Sequence, residues 1–191
     1  MAVVLLLIGF GVLYLIATYN TFQTLKVRIK ASIQEIGNQL KRQAELIPNL
    51  VASTKGYLAH EKEIFTKLTE ARETIVKAVE SGSAQKMVES QELLNKVLGS
   101  LKVIVESNPQ IKGSEVVGKL MAELRDTADK VMYARRTLID LVADYNQKLL
   151  TFPSSLVAKI FGLKKEKGLR MPKEATLEVK KEELETPKVQ L

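Results

Sequence analysis

The stretch Val117–Tyr145, VGKLMAELRDTADKVMYARRTLIDLVADY, decides the fold class of this chain. Val117, Leu120, Leu124, Thr127, Val131, Ala134, Leu138, Leu141 and Tyr145 follow one another in alternating steps of three and four. Such steps put every one of these positions on a single stripe of an α-helix. A stripe sustained over this many heptads predicts a helix that packs against other helices, as in a bundle or coiled coil. Ser114 with Glu115, and Glu123 with Arg125 and Asp126, suit the solvated face. The stripe reads as core.

Moving toward the N-terminus, Phe22, Leu25, Ile29, Ile33, Ile36, Leu40, Ile47, Leu50 and Leu58 keep to another stripe. Pro48 lacks an N–H and crowds the preceding turn, so it predicts a kink; the periodicity resumes beyond it. A second helix is expected from near His60, with Ile64, Leu68, Ala71, Ile75 and Val79 facing inward. Ser81-Gly82-Ser83 ends it, with Gly82 suited to a left-handed position. A third helix, from about Ala84 to Glu106, carries Val88, Leu94, Leu98, Leu101 and Val105. Ser107-Asn108-Pro109 and Gly113 read as a loop before the fourth. The expected architecture is an all-α, antiparallel, four-helix-type bundle of long helices.

Ahead of the first stripe, Ala2–Ala17 reads AVVLLLIGFGVLYLIA, and the first charged side chain is Lys26. From Ala2 to Phe22 a helix rises about 31 Å, close to the thickness of a hydrocarbon core. Tyr14 and Tyr19 fall where amphipathic rings favour the headgroup layer, and Lys26, Arg28 and Lys30 follow. The expectation is a single-pass transmembrane anchor over residues 1–22, continuous with the first bundle helix. A cleaved signal peptide fits less well: nothing basic precedes the apolar stretch, and cleavage after Ala17 would put the large Leu15 at −3. A buried core helix fits poorly with a segment apolar on all sides. The positive charges lie beyond the C-terminal end of the span, which places the bundle on the cytoplasmic side of the cell membrane.

At the other end, Phe152-Pro153 closes the fourth helix. Ser154–Phe161 reads as a short amphipathic helix with Leu156, Val157, Ile160 and Phe161. It either caps the bundle or lies on the membrane surface. Half of the residues from Lys164 to Leu191 are charged, with Pro172 and Pro187 among them and no aromatic. Such a composition buries too little apolar surface to offset the entropy of ordering it, so residues 163–191 are expected to be a disordered tail. The bundle itself is expected over 23–162.

The chemistry-bearing residues are few. The net charge is +7 and the pI near 9.5, but basic and acidic residues alternate and aromatics make up only 5%. That pattern argues against nucleic acid and fits anionic lipid headgroups. With no cysteine there is no disulfide, thiol nucleophile or thiolate metal site. His60 is the only histidine, and Tyr57 three residues before it rules out a Glu-x-x-His metal pair. No glycine-rich phosphate loop follows a strand. No catalytic residue, cofactor or metal site is expected, and the chain is read as a non-enzyme. Gln39, Arg42, Asn49 and Arg72 lie on or beside the apolar stripes. They either hydrogen-bond across the bundle and fix its register, or form a recognition patch.

Those residues also carry a resemblance. Tyr19-Asn20, Gln39-Leu40-Lys41-Arg42, Leu46-Ile47-Pro48-Asn49-Leu50-Val51, Lys55-Gly56-Tyr57 and Ala59-His60-Glu61 resemble the LemA family. Glu70-Ala71-Arg72, Asn108-Pro109, Ala134-Arg135-Arg136, Asp144-Tyr145-Asn146 and Phe152-Pro153-Ser154 continue it in order, over about residues 19 to 162. The resemblance implies a single-pass bacterial membrane protein with an antiparallel bundle and no catalytic residues. Related proteins include magnetosome-associated members, and LemA genes often lie beside those of membrane zinc metalloproteases, which implies an adaptor role. The tail beyond Gly162 falls outside the motifs. Some members begin with a lipoprotein cysteine, which would put their bundle outside the cytoplasm; this chain has none.

Two functional expectations follow. One is a membrane-tethered scaffold or adaptor that binds other proteins, a membrane zinc metalloprotease among them, or self-assembles. The other is a bilayer-shaping or anionic-lipid-binding structural protein that uses the basic residues after the span and the Ser154–Phe161 helix.

Overall fold

A computed structural model of the chain describes residues 1–58 and 61–170. Six helices follow one another: α1 Ala2–Lys55, α2 Lys62–Glu80, α3 Ala84–Ser107, α4 Pro109–Lys112, α5 Glu115–Leu150 and α6 Ser154–Ile160. The all-α bundle expected from the apolar stripes is what forms.

The axis of the molecule is α1. Its 54 residues pass from the apolar N-terminal stretch into the bundle and through Pro48 as one helix, about 80 Å long at 1.5 Å per residue. Along its first part the large apolar side chains are exposed, and the first buried residue is Phe22. An anchor counted from Ala2 to Phe22 by length therefore takes in a core residue. Phe22 is 0% exposed and meets Tyr145 edge to face at 5.5 Å between centroids. An edge-to-face pair adds a little to the burial of both rings.

Antiparallel to α1 lies α5, its main packing partner. Every predicted position of the α5 stripe is buried except Leu120, which is half-buried. The register is constant. Phe22 meets Tyr145, Ser32 bonds to Ala134, and Arg42 pairs with Glu123, so each step up α1 matches one step back along α5.

The helices α2 and α3 form a hairpin against the distal part of α1. Gly82, at φ 64°, takes the left-handed turn expected of it, and Ser83 caps α3 by accepting from the Lys86 N–H. The hairpin meets α1 at Gly37, where a Cβ would stand 3.6 Å from Met87 and 3.7 Å from Val79. Ile64, Leu68, Ala71 and Ile75 are buried as expected, but Ala78 rather than Val79 completes the stripe. In α3, Val88, Leu94 and Leu101 are buried, while Leu98 and Val105 are half-buried.

Two expectations are corrected. The connection before α5 is not only a loop: it holds the turn α4. Asn108 accepts from the Gln110 N–H and Pro109 occupies the first helical position, a pairing that starts a helix even over one turn. Residues 163–170, expected within a disordered tail, are instead docked on the bundle. The Asn146 side chain donates to the Glu166 carbonyl at 2.9 Å and accepts from the Glu166 N–H at 3.0 Å. Further along, the Arg170 N–H donates to Gln85 at 2.9 Å, and Leu163 and Leu169 pack against the core. Two leucines and a paired backbone hold a segment whose overall composition is too charged to predict it. The rest of the expected tail, residues 171–191, and the helix junction at His60 lie outside the described residues.

Candidate functional site

The polar side chains turned toward the bundle begin with the consequence of a proline. In α1, Pro48 removes the N–H that would bond to the carbonyl of Ala44, four residues earlier. Ala44 is buried, so this acceptor needs a protein partner. The half-buried Arg72 of α2 supplies it: its Nε–H donates to the Ala44 carbonyl at 3.0 Å. A charged donor on a lone carbonyl ties α2 to one height on α1.

Two other bonds tie α1 to α5. Gln43 is fully buried, and its Nε2 donates to the Leu124 carbonyl at 3.1 Å. Ser32 donates to the Ala134 carbonyl at 2.9 Å. Outside them, the Arg42 guanidinium grips Glu123, with Nη2 to Oε1 at 2.6 Å. The hydrogen bond and charge of Glu123 hold the guanidinium pKa above its ordinary value. Arg135 and Glu92 join α5 to α3 at 3.4 Å.

Of the four polar positions singled out by sequence, the structure therefore brings two across helices, Arg42 and Arg72. Gln39 bonds instead to Glu35 one turn earlier in α1, at 2.8 Å. Asn49 is exposed and has no side-chain hydrogen bond among the described residues. Gln43, Ser32, Glu123 and Asn146 were missed. A signal for Gln43 existed: the stripe runs from Leu40 to Ile47 with one rung absent, and that rung falls on Gln43-Ala44. Ser32 and Glu123 left no such mark.

Just beyond the apolar segment, Tyr19 packs against Phe161 at 4.5 Å between ring centroids. Lys26 leans over the Tyr145 ring, its ammonium 5.8 Å from the centroid. Arg28 and Lys30 are exposed, and Tyr14 is half-buried.

Between α1 and α5, on the part of the bundle nearest the apolar segment, lies an open groove of about 590 Å³. Ser32, Ala134 and Leu141 are its buried floor. Exposed Arg28, Glu35 and Asp129 line its sides, and Tyr133 stands 75% exposed beside them. Two small floor residues, Ser32 and Ala134, and charges of both signs form a surface on which another helix can lie. Among the described residues, no three histidine or acidic side chains converge on a point that could hold a metal ion.

Fold and surface define an all-α, antiparallel bundle carrying one helix whose N-terminal part is long and apolar enough to cross a membrane. The chain belongs to the LemA family, whose model matches residues 32–190. That match enters within α1 and runs through the charged C-terminal segment, which the motif resemblance had left outside. None of the curated proteins compared with the chain matches it.

Proposed function

We propose that this protein is a non-catalytic, membrane-anchored scaffold whose bundle binds other proteins, or a second copy of itself, at the membrane surface. The observation that carries the reading is the continuity of α1. One helix holds an 18-residue window of mean hydropathy 2.4 with none of it buried, and then becomes the central helix of the bundle. A soluble domain would not leave so much apolar surface in water, and a cleavable leader would not be the axis of the mature fold.

A bundle held by its own central helix presents its sides at set distances along that helix from the bilayer. The α1–α5 groove is an open surface that can take a partner helix, and a membrane zinc metalloprotease is the first partner to test. The run of Lys26, Arg28 and Lys30 supports a bundle on the cytoplasmic side.

Photo-crosslinkers placed at Ala31 and Tyr133, on the groove, test the reading in native membranes. Discrete adducts to one protein or to a second copy are expected from these positions, and none from Lys102 on α3. Monomer alone from both groove positions would overturn the scaffold reading. Protease added outside intact cells should leave the bundle whole; digestion would reverse the sidedness.

A further inference from the structure

The register of α1 and α5 sets a height. Continued to the end of α5, it places Leu150 level with Leu15 to Ala17, where the unburied apolar stretch of α1 ends. Beyond Leu150 the chain turns at Phe152-Pro153 and α6 returns onto α1. Val157 and Ala158 are buried there, and Phe161 meets Tyr19. Those three contacts account for the docking of α6 on the bundle.

They do not account for its other side. Leu156 and Ile160, one turn apart, are exposed, Ile160 at 67%. Phe152, four residues before Leu156, is 80% exposed, and Leu150 is also uncovered. A cap has no use for this second apolar stripe. Lys148, Lys159, Lys164 and Lys165, near it along the chain, are exposed.

We propose that α6 and the Phe152 corner are a second membrane contact, a foot whose Phe152, Leu156 and Ile160 lie in the headgroup–acyl boundary of the same bilayer that α1 crosses. The bilayer is the occupant because the stripe continues, at the same height, the apolar surface of α1. The lysines near it along the chain match anionic headgroups, and long basic side chains reach that layer readily. A single span leaves its load free to tilt and rotate. A second contact beside it fixes both, so the α1–α5 groove faces a set direction. The inference rests on α1 being a membrane span.

The absence of cysteine makes the test direct. In the full chain, Phe10→Cys, Ile160→Cys and Tyr133→Cys each carry one fluorophore, and each protein is reconstituted into vesicles rich in phosphatidylglycerol. All three positions are exposed, so the labels disturb no packing. Lipid-borne quenchers should place the Ile160 label roughly 5–10 Å into the boundary layer, the Phe10 label deeper and the Tyr133 label in water. An Ile160 label quenched from water like the Tyr133 label, with Phe10 still quenched from lipid, would overturn the foot and leave the span standing. A Phe10 label found in water would overturn both. An Ile160 label shielded from both quenchers would mean a protein covers the stripe, which also overturns the foot.

Discussion

A proline inside a helix leaves the carbonyl four residues earlier without its donor, and in α1 that carbonyl belongs to buried Ala44. Arg72 fills the gap, so Pro48 and Arg72 act as one device although they sit on different helices. Replacing Arg72→Ala should cost about 1–3 kcal/mol, the usual range for stranding a buried acceptor. In a Pro48→Ala background the new backbone N–H serves Ala44, and the same replacement should cost less. Denaturant unfolding of the four proteins of this double-mutant cycle would show a non-zero coupling; additive costs would refute the pairing. Tyr145 makes a second residue-level case. Its ring is fully buried against Phe22, yet its hydroxyl finds no partner among the described residues. Tyr145→Phe should therefore leave the unfolding free energy unchanged or raise it, by up to about 1 kcal/mol, as denaturant unfolding would show. Why a tyrosine stands at that place has no account in the packing.

Along α2, α3 and α5, ion pairs one turn apart line the exposed faces. Glu63 and Lys67, one turn apart at the start of α2, are 2.6 Å apart, and the bond from Lys67 lowers the Glu63 carboxyl below its ordinary pKa. A lowered carboxyl pKa stabilises the fold above the unfolded-state value and loses that contribution as pH falls through the folded-state value. Glu63→Gln should thus lower the melting temperature slightly at neutral pH. The difference should vanish in acid and shrink in high salt, and melts at several pH values and ionic strengths would check this. Arg42–Glu123 joins two elements rather than one, but both side chains stay well exposed. Glu123→Gln should change thermal unfolding little, because solvent screens the pair. The register of α1 against α5 rests on Gln43, Ser32 and the fit of Phe22 to Tyr145 more than on that ion pair.

For the whole molecule, the border between the apolar N-terminal segment and the bundle is a matter of burial and not of hydropathy. Residues 2–17 include no buried core side chain, and only Tyr14 and Leu15 among them are half-buried, so without them the remaining bundle should unfold close to the denaturant midpoint of the full chain in detergent. Phe22→Ala in that shortened chain should cost about 3–5 kcal/mol. A large loss from the shortening alone would mean that the apolar stretch packs on the bundle. Much of this architecture was legible in the sequence, because it follows from local periodicity. The steps of three and four fix which face of each helix turns inward, the uncharged run from Ala2 is long and apolar enough to cross a membrane, and Ser81-Gly82-Ser83 and Asn108-Pro109 mark turns through their own backbone preferences. Other features depend on which helices become neighbours, and a one-dimensional pattern holds no such information. That Arg72 would find the carbonyl freed by Pro48, that Arg42 would reach Glu123, and that Asn49 would meet nothing are outcomes of the crossing of α2 and α5 with α1. So is the docking of residues 163–170, whose charge hides two leucines and a backbone pairing to Asn146. The sequence by itself determined the helices, their buried faces and an apolar segment fit to cross a membrane. Only the tertiary structure decided the register, since a stripe specifies a face but not a height. That height is what brings the end of α5 and the exposed side of α6 level with the point where α1 leaves the bundle.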